Sequence, residues 1–441
     1  MDYTLKDLEI WSYKIEKIAR EEGLDYYPQE FEIIGQEEML SYMSYLGMPS
    51  RYPHWSFGKA YEKNKTLYSL NYIGLPYEMV INSDPCLAYL MKDNSLLLQI
   101  LTMAHVYGHN DFFKNNRIFK EGTRAKEILD RFKLDSDTIR GYIKDKNIGY
   151  ARVERILDAA HSIKYQVTRD NPFKIEEKDF YIEKFLEDFN KSENKEENYL
   201  EGKNIPFTPL EDILKFLIDY SDLEPWEKNI LKIVRRESLY FLPQIETKIM
   251  NEGWASYWHY NLLKKLDLNK GLYIEFLKRH NEVVSPSIYG INPYYIGFKI
   301  FEDIEKRYGK EKLFEVRALE RDYSFIRKYL NLDLCRELNL FKYGKRGFDY
   351  IVEEVSDELG WRSIRNLISE QCGLGSIPYI RVLDIDKRDK TLILEHVFEG
   401  RELDKTYAIK TLNNIKKLWG RRVILKSRGK DFKEIVFSSL E

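Results

Sequence analysis

The chain has 441 residues, 43% hydrophobic and 32% charged, with 70 Lys+Arg against 72 Asp+Glu, a net charge of −2 and a mean hydropathy of −0.52. That is enough for one large domain and a small one around a sizeable core, and the balanced charge supplies no field for steering nucleic acid or anionic lipid. No stretch of about eighteen apolar residues offers a membrane span, the N-terminal segment lacks the basic-then-apolar pattern of a secretory signal, and three scattered cysteines (Cys86, Cys335, Cys372) argue against a disulfide framework and for a reducing, cytoplasmic compartment.

Leu5, Leu8, Trp11, Ile15 and Ile18 recur at three- and four-residue spacing and predict an amphipathic helix over 4–22. A second helix is expected over 30–47, ending at Gly47, followed by a turn-rich loop around Pro53 to Lys59. LYSLNYIG (67–74) and YEMVINSDP (77–85) read as two antiparallel strands. Asp93 or Asn94 can cap a helix from Ser95 to about Phe113, and another helix spans 136–166 with a break at Gly149. Residues 187–205 are a charge-dense loop. Helices resume at 208–220, 225–241 and 244–265, the last two separated by Pro243. Further helices follow Asn292-Pro293 to Tyr308, and cover 310–330 and 350–371. After Gly373-Leu374-Gly375 four strands and one helix, TYAIKTLNNIKKLWG, suggest a small module of two hairpins around a helix.

Only seven histidines are present, so their placement informs. His105 and His109 lie four apart in the apolar helix LLLQILTMAHVYGHNDFF, which puts both imidazoles on one face, one turn apart. Two neutral imidazoles so placed can grip one divalent ion. A bare HxxxH equally describes two core histidines bonded to neighbours. Two other helices change that balance: Glu252 and His259 share a face in EGWASYWH, and Glu154, Asp158 and His161 share one in ERILDAAH. Carboxylates on apolar helices are expensive to bury unless paired or bound to metal. Three helices with such stripes favour a shared site over separate core residues. The donor set is His and carboxylate without Cys, suited to zinc, with iron or manganese open.

AHVYGHNDFFKNN, ERILDAAHS, PQIETKIMNEGWASYWHY and INPYYIG, in this order and with YEMVINSDPCLAYLM before them, resemble the signature segments of the stage V sporulation protein R family. The resemblance runs from about residue 5 to 375 and less sharply beyond. It implies a role in forming the peptidoglycan of the spore cortex, or in stress responses where members accompany a serine protein kinase. A strand pair, a helix with H-x-x-G-H and a distant E-G-W-A helix is also similar to the gluzincin metallopeptidases. That similarity implies His105, His109 and Glu252 as metal ligands. The general-base Glu of those enzymes would follow the first His, and Val106 stands there instead. Glu154, Asp158 and Glu246 are candidates to replace it, and His161 and His259 are additional candidates for acid–base, ligand or orienting roles.

Asp111 can orient a ligand imidazole, Tyr294 and Tyr295 can aim hydroxyls at an oxyanion or pack as aromatics, and Arg235 and Arg236 can pair with carboxylates. The expected fold is mainly α, of the α+β kind: a large helical domain (1–372) with a short antiparallel sheet and a zincin-like HxxxH…E core, then a small C-terminal α+β module (373–441). The leading functional expectation is a metal-centred sporulation protein with hydrolase-like chemistry. The rivals are a non-catalytic assembly protein and a helix-bundle dinuclear-metal oxidoreductase, for which Asp158-x-x-His161 is the nearest motif.

Overall fold

The computed structural model describes residues 3–70, 77–168, 211–287, 290–346, 349–386 and 388–440. The chain begins α1 (Leu5–Glu21), β1 (Gln29–Ile34), α2 (Gln36–Ser44), α3 (Trp55–Ser69), β2 (Glu78–Ile81), β3 (Cys86–Met91), α4 (Leu96–Asn115), α5 (Arg117–Gly122). It continues α6 (Ile128–Lys144), α7 (Gly149–Ser162), α8 (Ile213–Tyr220), α9 (Pro225–Glu246), α10 (Lys248–Lys265), α11 (Lys270–Val283), α12 (Pro293–Tyr308), α13 (Lys310–Leu319), α14 (Asp322–Tyr329), α15 (Leu332–Glu337). It closes with β4 (Lys342–Arg346), β5 (Asp349–Glu354), α16 (Trp361–Gln371), β6 (Ile380–Ile385), β7 (Leu392–His396), α17 (Lys405–Trp419), β8 (Val423–Arg428) and β9 (Glu434–Ser438). The fold is mainly helical with small sheets, an α+β arrangement. Two compact units share it: Met1–Lys133 with Pro243–Ser376, and Leu134–Leu242 with Ile377–Glu441.

In the first unit α4 is the central element, and every residue from Leu97 to Phe113 is buried. A helix apolar on all sides must be enclosed on all sides, and α1, α10, α11, α13, β2 and β3 pack around it. Its first turn is closed by the Ser95 side chain, which accepts from Leu98 N, in place of the expected Asp93 or Asn94. Asp111 is fully buried but does not orient a histidine. Its carboxylate accepts from Arg317 Nη1 at 2.6 Å, Trp254 Nε1 at 2.8 Å and Asp25 N at 2.8 Å, tying α4 to α10 and α13. Removing one partner of such a buried pair leaves an uncompensated charge and is strongly destabilising.

The sheet of this unit has the order β1-β3-β2, with β1 parallel and β2 antiparallel to β3. This corrects two expectations. The start of the predicted 30–47 helix is β1, where exposed Glu30 and Glu32 alternate with half-buried Phe31 and Ile33, a period of two that outweighs helix propensity. The predicted strand 67–74 instead begins as the end of α3, and its residues 71–76 lie outside the described residues. The predicted 350–371 helix opens as β5, paired with β4, before α16. Pro243 sits inside α9, and the break falls at Thr247.

In the second unit β6/β7 and β8/β9 are antiparallel hairpins, and β7 runs parallel to β8 through α17, giving one four-stranded sheet. Leu412, Ile415 and Leu418 bury the inner face of α17, which packs on β8, β9 and α7. Arg235 donates twice to the buried Asp212, at 2.9 and 2.7 Å, and Arg236 pairs with Asp135. These arginines are structural partners of α6 and α8. The predicted 187–205 loop lies outside the described residues.

Candidate metal centre

Two glycine crossings set the geometry of the site. Gly108, between the two histidines of α4, lies so close to α10 that a Cβ there would be 2.7 Å from Ala255 Cα. Gly253, next to Glu252, meets Gly297 of α12 backbone to backbone. Only glycine permits such approach, so α4, α10 and α12 come together with Glu252 beside His105 and His109. The start of α10 is capped from another helix: the Asp322 carboxyl group accepts from Ile249 N at 2.8 Å and Met250 N at 2.9 Å, which satisfies two N–H groups that the first turn leaves free. Asn292 caps α12 on Tyr294 N and Pro293 opens its first turn, which stacks Tyr294 on His105 with ring centroids 6.1 Å apart.

The histidine rings lie with their Nε2 atoms toward the carboxylates. Glu252 Oε2 is 3.7 Å from His105 Nε2 and 3.6 Å from His109 Nε2, and Glu78 Oε1, from edge strand β2, is 3.9 Å from His105 Nε2. Each Nδ1 is held from behind. His109 Nδ1 meets Asn251 Oδ1 at 2.9 Å; an amide oxygen only accepts, so Nδ1 carries the proton and Nε2 keeps its lone pair. His105 Nδ1 meets His259 Nδ1 at 2.9 Å, and His259 Nε2 meets His280 Nδ1 at 2.8 Å. His105 Nε2 is buried without a hydrogen-bond partner. Donor atoms of Glu78, His105 and His109 all lie within 4.8 Å of one another. An orphaned imidazole nitrogen among carboxylates is costly unless something completes it, and a divalent ion fits this donor set.

Burial, and then the neighbouring His105 ring, push His109 down to about 4; burial does the same to His280, and carries His259 further down. These rings are therefore neutral at physiological pH, the state a ligand requires. The two carboxylates diverge. Burial raises Glu78, only partly opposed by His105. Burial also raises Glu252, but His105, His109 and Tyr294 together outweigh it and hold the group below its usual range. Tyr294 keeps its proton, because the Glu252 charge and burial both disfavour a phenolate.

The structure thus brings together His105, His109, Glu252 and His259 of the residues singled out by sequence. His259 sits at the Nδ1 side of His105, away from the carboxylates. Glu154, Asp158 and His161 lie on α7 and belong to the second unit, so the first unit gathers its cluster without them. Their helical spacing is real, but spacing says nothing about which domain a helix joins. Glu154 accepts from Tyr150, and His161 lines an apolar cavity of about 360 Å³ with Tyr165, Ile213, Ile380 and Tyr407. Glu246 caps the 374 turn by accepting from Leu374 N. Tyr295 packs on the hydrophobic core. Sequence reasoning missed Glu78, Asn251 and His280. A signal for Glu78 existed: alternation puts it on the same face of β2 as Val80, which packs on the core. For His280 it was the spacing of four from Phe276, the two buried residues of α11.

Residues 2–377 match the family described as "SpoVR like protein", and 378–430 match "SpoVR-like C-terminal domain". The chain is 35% identical to the uncharacterized protein YcgB of Escherichia coli (strain K12), over 98% of this chain and 93% of that one. No solved structure matches. With both of its parts matched and a full-length relative at this identity, the chain belongs to the SpoVR family.

Proposed function

We propose that this chain is a metal-dependent hydrolase of the sporulation and stress machinery, acting in the cytoplasm on peptidoglycan stem peptides during formation of the spore cortex. The observation that carries the reading is the convergence of two buried Nε2 atoms, each with its Nδ1 held, on the carboxylates of Glu78 and Glu252. His105, His109 and Glu252 would hold the ion, zinc before iron or manganese for a His/carboxylate set. The similarity to gluzincins points the same way. When bound, the ion supplies Lewis acidity toward a carbonyl and its attacking water.

The chain's own residues divide the remaining work. Glu252, held charged, suits a ligand. Glu78, raised by burial, suits the proton acceptor that Val106 cannot be. Tyr294, kept protonated beside Glu252, can donate to a developing oxyanion. The association of family members with a serine protein kinase makes such a kinase the partner we propose. No helix among the described residues is long and apolar enough to cross a membrane.

The test is release of amino acids or peptides from peptidoglycan stem peptides by the zinc-loaded chain, abolished by a chelator and restored by zinc. Stem peptides left intact by protein carrying stoichiometric metal would favour the second reading, a non-catalytic assembly protein with a structural cluster. Val106 at the base position, fully buried, is the observation that supports that alternative. Asp158 and His161, the nearest motif for a dinuclear oxidoreductase, belong to the second unit.

A further inference from the structure

From the candidate ligand His105 runs a buried file of three imidazoles, of which the hydrolytic reading leaves two, His259 and His280, idle. His105, His259 and His280 are 3%, 0% and 4% exposed, and their contacts are His105 Nδ1 to His259 Nδ1 at 2.9 Å and His259 Nε2 to His280 Nδ1 at 2.8 Å. The file is held from the sides. His280 stacks on Tyr260 with centroids 4.5 Å apart and meets the Phe298 ring at 5.0 Å, while His105 is stacked by Tyr294.

A neutral imidazole carries one N–H and one lone pair, and each contact needs one of each. Three rings in file therefore have only two consistent proton arrangements. In the outward one, His105 Nδ1–H donates to His259 Nδ1, and His259 Nε2–H donates to His280 Nδ1. His105 Nε2 then keeps its lone pair. In the inward one, His280 Nδ1–H donates to His259 Nε2, and His259 Nδ1–H donates to His105 Nδ1. The proton of His105 is then forced onto Nε2, where it occupies the position an ion would take. No ring can change tautomer alone without breaking a contact.

We infer that His259 and His280 are positioning residues for the metal centre, which fix His105 in the tautomer whose Nε2 can bind an ion. His280 touches no candidate ligand, yet the file makes it part of the affinity of the site. This rests on the metal-centre reading and deepens it. Partners that orient a ligand imidazole are typically worth about 10–100-fold in metal affinity. The Asn251 oxygen does this for His109 in one step; for His105 the acceptor is a ring whose own tautomer must be set by a second ring.

The experiment is zinc affinity of the full chain, by competition with a chelating dye, in the native protein and in His259→Leu, His259→Asn, His280→Leu and His280→Asn. An Asn Oδ1 can accept where the His Nδ1 does, and a leucine cannot. The leucine variants are expected to lose zinc affinity, about 10–100-fold at His259 and nearer tenfold at His280, and the asparagine variants to stay close to native. A second measurement uses the unaltered protein and so does not depend on any variant folding. In the zinc-loaded, histidine-¹⁵N-labelled chain, NMR is expected to show the proton of His259 on Nε2 and His280 Nδ1 unprotonated. Equal affinity of the leucine and asparagine variants, or a protonated His280 Nδ1 in the loaded protein, would overturn this inference and leave the metal centre standing. A native chain that binds no zinc would overturn both.

Discussion

Glu78→Gln is expected to lower turnover of stem peptides by about 10²–10⁴-fold, the usual cost of losing a general base, while zinc content stays at the native level. Glutamine keeps the size and hydrogen-bonding reach of the side chain and removes only its ability to take a proton. Glu78 is the carboxylate with the right environment. Its Oε1 stands 3.9 Å from His105 Nε2, on an edge strand, and burial raises its pKa above the ordinary 4.5. A general base must be ionised to work, so activity should appear as pH rises through the Glu78 pKa, and Glu78→Gln should remove that acid limb of kcat/KM. If Glu78→Gln loses its zinc instead, the two carboxylates exchange roles and Glu252 becomes the candidate base. Native turnover in the variant would leave Glu78 without a part in the chemistry.

Gly253→Ala should cost about 2–4 kcal/mol of stability and lower the melting temperature by roughly 5–15 °C. Two effects oppose each other. Alanine gains about 1 kcal/mol over glycine in a helix interior. Overpacking costs about 1–3 kcal/mol where side chains can yield, and more where they cannot. The new Cβ would fall on the backbone of Gly297 and Phe298 N, and backbone in the middle of α12 has nowhere to go. Steric cost therefore wins, and α10 should separate from α12. The control is Gly58→Ala in α3, where a Cβ would meet nothing within 4 Å and the propensity gain should stand alone. Equal melting temperatures for Gly253→Ala and the native chain, followed by thermal unfolding, would contradict the crossing.

The elements legible in the sequence were those whose signals are local. The helices of His105, Glu252 and Tyr294 follow from apolar periodicity and caps, and the C-terminal strands from their alternation. Three kinds of information were not local. β1 pairs in parallel with β3 across a long excursion, and its Gln-Glu-Phe-Glu-Ile-Ile run is compatible with helix until that partner exists. Glu154, Asp158 and His161 have the spacing of a ligand stripe, but the choice of unit is made by α7 packing on α17, a contact between residues distant in the chain. Asn251, which holds His109, and His280, which meets His259, carry no motif; Asn251 reads as a neighbour of Glu252 and His280 as a residue of a loop or exposed segment. The glycines of HVYGH and EGWA were visible as letters, and their reason, backbone contact between helices, was visible only in the fold.

The most direct test of the central claim is the metal content of the native chain, by plasma mass spectrometry, beside the His105→Ala/His109→Ala double variant. About one zinc, iron or manganese per native chain is expected, and none in the double variant while its circular dichroism still shows a folded helical protein. A native chain without metal that takes none up when it is added back, or a folded double variant that keeps its metal, would contradict the account.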